Sequence, residues 1–389
     1  MLNGTDRLSQ NREIVMRFHS SRMHGAFKTS AVLFIECVLL FVLSETIARL
    51  FLPPGLRVIH PQMLVESNAT RIYDHIPNQH AFTIDQPFVT NSMGFRDNRE
   101  VPLNKAGEIR VLSLGDSMAV GLGVSGGDTY ANQLEMLLRR RYDPVRVING
   151  GVGGYSIWQE IDLLKEKGIH VQPDIVLVAF YWNDLYTKPN RVIPLPRNQG
   201  GEQLDADAGA NSKYLRLLKR STFLQFLRER LNILWFKISP TFDWVHQEMI
   251  FEGRSSPYLE EAYRDIADDL EEFKALADTH GFVPILLVLP ISAQVTHLDA
   301  PVHMQQRIIS IAKKLGLRTL DLLRPLQRAH ATGSELFIPW EYVHYSPQGH
   351  KVVAEAIGQY LLQAGLVLSS LERPPIPVRG RSSTDKEGT

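Results

Sequence analysis

The stretch RVLSLGDSMAVGLGVSGGDTY, residues 110–130, decides the fold of this chain. It begins with a short apolar run, which is typical of a buried strand, and continues into a glycine-rich turn that leads to a helical pattern. A strand followed by a turn and a helix favours an α/β domain with a parallel sheet. The turn itself permits two interpretations, a loop that holds a phosphate or a loop that presents Ser117 as a nucleophile.

The same alternation continues along the chain. The segments with strand character are 109–114, 145–149, 174–180, 282–290 and 317–322. The segments with helical character are 129–142 after a predicted N-cap at Asp128, 156–168, a helix begun by Ser256 and Pro257, 301–316, and a last helix begun by Ser346 and Pro347. Because helices cover both faces of such a sheet, functional residues are expected at the carboxyl ends of its strands.

The phosphate-loop interpretation rests on residues 121–126, GLGVSG, which fit the pattern G-x-G-x-x-G. A dinucleotide loop needs its first glycine where the strand ends, but Gly121 comes seven residues after Leu114. It also needs an acidic residue at the end of the second strand, where this chain has Asn149 and Gly150. The pattern therefore favours a nucleophile, with Gly121 and Gly123 allowing the chain to turn beneath it.

Serine is a weak nucleophile and needs a base, an orienting group for that base, and donors for the developing oxyanion. His344 lies before the last helix and can act as the base, while Glu341 can orient its imidazole. The backbone N–H groups of Ser117 and Gly154, together with the Asn183 side chain, can form an oxyanion hole. These residues follow the first three strands or precede the last helix, so the topology predicts one common site.

These ordered motifs resemble those of the SGNH, or GDSL-type, hydrolase family over about residues 91–362. The blocks that carry the resemblance are LGDSMAVGLGV with Ser117, NGGVGGYS with Gly154, YWND with Asn183, and EYVH with Glu341 and His344. Tyr181 replaces the glycine of the family's third block, and Glu341 replaces the aspartate of its last block. Upstream, NSMGFRD and SETIARL resemble the membrane-anchored bacterial branch of the family.

The resemblance implies a three-layer α/β/α, flavodoxin-like fold and an ester hydrolase that uses no metal and no organic cofactor. It also implies acyl or acetyl esters of lipids, carbohydrates or small alcohols as substrates. Two alternative functions remain open. The same serine could pass an acyl group to a cell-surface polysaccharide, or the domain could be a non-catalytic, membrane-tethered assembly protein.

The N-terminal region predicts a membrane anchor. Residues 1–28 are polar with five basic side chains, and residues 29–52 are largely apolar and long enough for one transmembrane helix. The preceding basic residues predict a cytoplasmic N-terminus, with the catalytic domain on the periplasmic or extracellular side of the cytoplasmic membrane. A cleaved signal peptide and a buried or interfacial helix are the alternatives.

The predicted organisation has five parts. They are a cytoplasmic segment 1–28, an anchor 29–52, an irregular lead-in region 53–108, a catalytic domain 109–368 with an insertion at 185–255, and a disordered tail 369–389. Within the insertion, 213–239 is predicted to be helical, as a lid, a lipid-facing surface or two packed helices. The 42 basic and 42 acidic residues give no indication of a nucleic-acid partner, and a single cysteine, Cys37, excludes an internal disulfide.

Overall fold

The structure of the protein is a computed structural model that describes residues 30, 32–53, 56–105, 107–186, 221–238, 250, 252–339 and 343–367. The chain forms two compact units. The first draws on residues 1–57 and 211–233, and the second on residues 58–210 and 234–389.

The elements are numbered along the chain. The strands are β1 Val65–Asn68, β2 Ile72–His75, β3 His80–Thr83, β4 Gln86–Val89, β5 Ile109–Gly115, β6 Val145–Asn149, β7 Ile175–Phe180, β8 Val283–Val288 and β9 Arg318–Asp321. The α-helices are α1 over residues 32–51, α2 Ser117–Val120, α3 Tyr130–Arg139, α4 Ile157–Leu163, α5 Thr222–Ile238, α6 Pro257–His280, α7 Ser292–Thr296, α8 His303–Lys314, α9 Leu323–Ala331 and α10 Pro347–Gln363. The tighter or wider helical turns are Gly126–Asp128, Leu164–Gly168, Ile169–Val171 and Trp182–Tyr186.

The centre of the second unit is a parallel sheet with the strand order β6-β5-β7-β8-β9. The order turns back at β5, because the chain first adds β6 on one side and then β7, β8 and β9 on the other. This arrangement places the switch point at the carboxyl end of β5, where ligands bind in open α/β sheets. The prediction of an α/β fold with a parallel sheet is confirmed.

Both faces of the sheet are buried. Along β5, Leu112 and Leu114 contribute to one apolar core, while Ile109 and Val111 contribute to the other. Successive side chains of a strand point to opposite faces, so a strand that is buried at every position, as β5 is, must be covered on both sides. Helices α4, α6 and α8 supply residues to the first core, and α3, α9 and α10 supply residues to the second.

Residues 58–105, predicted as an irregular lead-in, contain two short antiparallel hairpins, β1–β2 and β3–β4. The first hairpin is tied to the region after α4 by Arg71, whose buried guanidinium pairs with Asp74 at 2.9 Å and also with Glu166. Lys167 pairs with Asp74 at 2.6 Å. These contacts make the first hairpin part of the second unit.

In the first unit, Glu45 connects α1 to the beginning of α5. Its carboxylate accepts hydrogen bonds from the Ser221 hydroxyl at 2.7 Å and from the backbone N–H of Phe223 at 3.0 Å. Arg49 pairs with the same carboxylate at 2.6 Å, as its spacing predicts. A carboxylate is favourable at this position because the N-terminus of a helix carries partial positive charge and unsatisfied N–H groups.

The segment predicted to span the membrane forms the helix α1, but no helix among the described residues is long and apolar enough to cross a bilayer. The charges of Glu36, Glu45 and Arg49 interrupt its apolar sequence. The prediction of a transmembrane helix is therefore not supported.

Two further differences from the sequence-based expectations are local. The N-cap of α3 is Thr129, which accepts the Asn132 N–H, whereas Asp128 accepts a hydrogen bond from Ser125. A hydroxyl side chain is as suitable as a carboxylate for this capping role, so the pattern placed the cap one residue early. Helices α7 and α9 were not predicted.

Residues 1–28, 187–220 and 369–389 lie outside the described residues, so the predicted cytoplasmic segment, most of the insertion loop and the tail are not described.

Candidate active site

Ser117 stands on a sharp turn between β5 and α2. Asp116 is the N-cap of α2, and its carboxylate accepts the Met118 N–H at 2.8 Å. The strand can turn into the helix this tightly because Gly115 has no side chain: a Cβ there would lie 2.4 Å from the Cβ of Ala119 and 3.0 Å from that of Ala179. The turn leaves Ser117 8% exposed at the carboxyl end of β5.

His344 lies next to this serine. Its Nε2 is 2.9 Å from the Ser117 Oγ, although 227 positions separate the two residues. The backbone around His344 is held by the Ile338 N–H, which donates to the His344 carbonyl at 2.9 Å, and by Ser346, which caps α10. The distance suits transfer of the serine proton to the imidazole.

Asn183 is presented by the turn Trp182–Tyr186, which follows β7 directly. Asp184 closes this turn, since its carboxylate accepts the Tyr181 N–H at 2.8 Å and its own N–H donates to the Tyr181 carbonyl at 3.0 Å. The buried Oδ1 of Asn183 has no hydrogen-bond partner among the described residues. The Asn183 amide lies close enough to Asp116 to stabilise that residue's carboxylate.

Gly154 belongs to the loop after β6. A hydrogen bond joins this loop to the turn before Ser117, since the Val152 N–H donates to the Gly115 carbonyl at 2.9 Å. Gly154 has a φ of +79°, in the left-handed region that favours glycine, and a Cβ there would lie 2.8 Å from the Tyr73 hydroxyl. Within the described part of the chain, no acceptor is found for its N–H group, which leaves that donor free for a bound oxygen.

Glu341, the predicted orienting acid, lies outside the described residues. The structure thus brings Ser117 and His344 together and places Gly154 and Asn183 on the loops after the two strands that flank β5. The roles of all five residues stay predictions. Within the described ranges, no group of histidine, cysteine, aspartate and glutamate side chains could hold a metal ion.

Three buried carboxyl groups, those of Asp116, Glu160 and Asp184, interact with one another near Ser117. Burial raises the pKa of Asp116, and hydrogen bonds from Met118 and Asn183 oppose that rise. The pKa values of Glu160 and Asp184 are raised well above their ordinary values, first by burial and then by repulsion from neighbouring carboxylates. Both oxygens of Glu160 are buried and have no partner among the described residues. A neutral carboxyl is the form such surroundings favour.

Two residues near the site have no role in the sequence-based prediction. Arg96, from the quoted NSMGFRD segment, donates to the carbonyl oxygens of Val120 and Gly121 at 2.5 Å and of Val124 at 2.6 Å. Arg96 therefore holds the loop that follows α2, the helix that begins at Ser117. Tyr73, from β2, contacts the Gly154 loop. The motif NSMGFRD was a signal for Arg96, whereas the sequence around Tyr73 carries none.

Comparison with known proteins assigns the chain to a family. Residues 113–352 match the GDSL-like Lipase/Acylhydrolase family. The match covers more than half of the chain and includes Ser117, Gly154, Asn183 and His344. No curated protein matches the sequence.

Similar solved structures include three esterases or hydrolases. LAE5, an α/β hydrolase enzyme from the metagenome of Lake Arreo, Spain, is 16% identical, with a TM-score of 0.40 and coverage of 67% of this chain and 96% of that chain. The acetyl xylan esterase AlAXEase is 12% identical, with a TM-score of 0.39 and coverage of 65% and 100%. The acetylxylan esterase Axe2 from Geobacillus stearothermophilus is 16% identical, with a TM-score of 0.36 and coverage of 70% and 97%.

At these scores the three structures carry no inference about substrate or mechanism. The family match over residues 113–352 stands independently of them. The chain belongs to the GDSL-like lipase/acylhydrolase family, which is of the SGNH type, and it is a hydrolase of ester bonds.

Proposed function

We propose that this protein hydrolyses acyl or acetyl esters of carbohydrates or lipids through an acyl-enzyme formed on Ser117. The Ser117 oxygen attacks the ester carbonyl carbon while its proton passes to the Nε2 of His344. Collapse of the tetrahedral intermediate breaks the bond to the alcohol, which leaves with that proton. Water then attacks the acyl-enzyme, again giving a proton to His344, and releases the carboxylic acid and the free serine.

The observation that carries this proposal is the 2.9 Å distance between the His344 Nε2 and the Ser117 Oγ. A serine hydroxyl at that distance from an imidazole can lose its proton as it attacks. Glu341 is proposed to orient the imidazole, as the family's aspartate does.

The oxyanion of each tetrahedral intermediate is proposed to accept hydrogen bonds from Ser117 N–H, Gly154 N–H and the Asn183 side chain. The N–H of Gly154 supports this assignment, because it has no acceptor among the described residues and is therefore available to a substrate oxygen. Donors fixed in advance stabilise the developing charge without reorganising during the reaction.

We also propose that the site acts outside the cytoplasmic membrane, with residues 29–52 in contact with lipid. The support is the basic segment before these residues and the exposure of large apolar side chains on α1, including Phe34 at 69%, Leu40 at 63% and Phe51 at 75%. Fractionation of cells that express the full chain tests this placement. Recovery in the membrane fraction, with accessibility to external protease, is expected, and recovery in the soluble cytoplasmic fraction would contradict it.

The enzymatic proposal is tested with purified protein and p-nitrophenyl acetate. Ser117→Ala should abolish hydrolysis, because it removes the hydroxyl that lies 2.9 Å from the His344 Nε2. Ser125→Ala is the matched control: Ser125 lies in the loop after α2 and its hydroxyl bonds Asp128 at 2.6 Å, so this variant should keep wild-type activity. Full activity in Ser117→Ala would overturn the proposal.

A further inference from the structure

A tyrosine from outside the matched family domain holds the peptide between Gly153 and Gly154. Tyr73 lies in β2, before residue 113, where the family match begins. Its hydroxyl donates to the Gly153 carbonyl oxygen at 2.9 Å, across 80 positions of sequence. The same hydroxyl lies 2.8 Å from the place that a Cβ on Gly154 would occupy, so it lies close to Gly154 as well.

Holding the carbonyl determines where the neighbouring N–H points. In a trans peptide the C=O of one residue and the N–H of the next are directed to opposite sides of the chain. A peptide between two glycines meets the least steric resistance to rotation, so its orientation needs an external contact. The structure provides one contact on the carbonyl side, from Tyr73, while the Gly154 N–H on the other side has no acceptor within the described part of the chain.

We propose that Tyr73 is a positioning residue of the oxyanion hole: its hydroxyl fixes the Gly153 carbonyl and so directs the Gly154 N–H toward the substrate oxygen. This inference rests on the proposed function, in which Gly154 is an oxyanion donor. Without the hydroxyl, the peptide is free to rotate, and a rotated peptide presents a carbonyl oxygen where the oxyanion needs a donor.

Tyr73 is itself held firmly. Its ring packs against that of Tyr155 with 5.4 Å between the ring centroids, and the Tyr155 hydroxyl donates to the Tyr73 carbonyl at 2.5 Å. The neighbouring Arg71 carbonyl accepts a hydrogen bond from the Gln159 side chain at 2.8 Å. The raised pKa of Tyr73, caused first by burial and then by the charge of Asp116, agrees with a position beside the serine turn and keeps the hydroxyl a proton donor.

A positioning role differs from a purely structural one in its kinetics. An interaction that acts only on the oxyanion lowers kcat when it is lost and leaves KM almost unchanged, because the substrate carbonyl is bound similarly in the ground state. A structural hydrogen bond changes the stability of the fold and leaves the kinetics of the folded molecules unchanged. Measuring kcat and KM alongside urea unfolding therefore separates the two roles.

The test compares Tyr73→Phe with Tyr130→Phe in the full chain, with p-nitrophenyl acetate as substrate. Tyr130 is a buried tyrosine whose hydroxyl bonds the Ser113 Oγ at 2.8 Å, so its variant also loses one buried hydrogen bond but none at Gly153. For Tyr73→Phe we expect kcat to fall roughly 10- to 100-fold, less than the 10²–10³ typical of losing a donor outright, because the peptide still samples the correct orientation. For Tyr130→Phe we expect an unchanged kcat.

Equal kcat values for Tyr73→Phe and the wild type, or a change confined to KM, would overturn the positioning role. A failure of the proposed function is seen separately, as wild-type activity that persists in Ser117→Ala. If Tyr73→Phe does not fold, Tyr155→Phe decides, since it removes the hydrogen bond that holds the Tyr73 backbone. A lower kcat with the same KM in that variant supports the proposal, and a wild-type kcat contradicts it.

Discussion

Arg96 donates to the carbonyl oxygen of Val120 at 2.5 Å, which joins the lead-in region to the last residue of the serine helix. The same guanidinium bonds Gly121 and Val124, and it lies 4.9 Å from the centre of the Phe88 ring. A four-residue helix has little stability of its own, so its position depends on such contacts. Ser117, the proposed nucleophile, is therefore held from a region that precedes the family domain.

Replacing Arg96 by lysine should destabilise the protein and impair catalysis together. A single ammonium group cannot reproduce the fork that reaches four carbonyl oxygens, including that of Pro87 at 3.3 Å, and buried carbonyls left without donors are costly. We expect a loss of about 2–4 kcal/mol in the free energy of urea unfolding and a lower kcat/KM. Arg139→Lys is the control, because Arg139 is exposed and pairs with Asp143, so its loss should be below about 1 kcal/mol. Equal losses in the two variants would contradict this role.

Gly115→Ala should displace the serine. The new Cβ would lie 2.4 Å from the Cβ of Ala119 in α2, so the end of β5 and α2 must move apart. Because a displacement of about 1 Å can cost roughly 100-fold in rate, we expect at least that loss in kcat/KM for p-nitrophenyl acetate. Gly126→Ala, where a Cβ meets nothing within 4 Å, should retain activity. Similar activity in both alanine variants would show that Gly115 is not needed for its small size.

The buried carboxyl of Glu160 predicts that stability falls as the pH rises. Its folded pKa is raised by burial and by repulsion from Asp184, so the folded state keeps a proton that the unfolded state, with a pKa of about 4.3, has already lost. Between these two pKa values, the proton that the folded state retains lowers the free energy of unfolding by about 1.4 kcal/mol for each unit of rising pH. Glu160→Gln removes this titration, so its free energy of urea unfolding should fall less than that of the wild type between pH 5 and pH 8. Parallel curves for the two proteins would contradict a neutral Glu160.

His350 predicts that the free energy of unfolding falls as the pH is lowered, opposite to the effect of Glu160. It is buried in α10 and accepts the Tyr130 N–H at 3.2 Å through its Nδ1, and burial lowers its pKa to about 3. Below pH 6.5 the unfolded state binds a proton that the folded state does not, so stability is lost as the pH falls toward 3. His350→Asn keeps an acceptor and should show a shallower loss of unfolding free energy between pH 7 and pH 5. His330→Asn, at an exposed site on α9, should match the wild type, and an unchanged slope in His350→Asn would count against this explanation.

Much of the fold follows from the sequence because local patterns determine it. The apolar runs of β5, β6 and β7 and the Ser-Pro starts of α6 and α10 predict these elements within a few residues. The hairpins in 58–105 could not be found in this way. Their strands have four residues each, and Ile72 and Ile84 adopt positive φ values of 73° and 59°, where β-branched residues give no turn signal.

Some residues of the candidate site could also be predicted from the sequence, and others could not. Ser117, Gly154, Asn183 and His344 could be proposed because they follow strands of one sheet or precede a capped helix, positions that the topology brings to one edge. Arg96 and Tyr73 could not be assigned roles, because each acts on a backbone carbonyl far away in sequence. A carbonyl oxygen is present at every residue, so no motif identifies which one a distant side chain will contact.

The acyl-enzyme on Ser117 is most directly tested by mass spectrometry of protein that is acid-quenched during turnover of p-nitrophenyl acetate. We expect one added acetyl group in the wild type, located on the peptide that contains Ser117, and no added group in Ser117→Ala. An acetyl group on a different residue, or steady hydrolysis by Ser117→Ala, would contradict the mechanism.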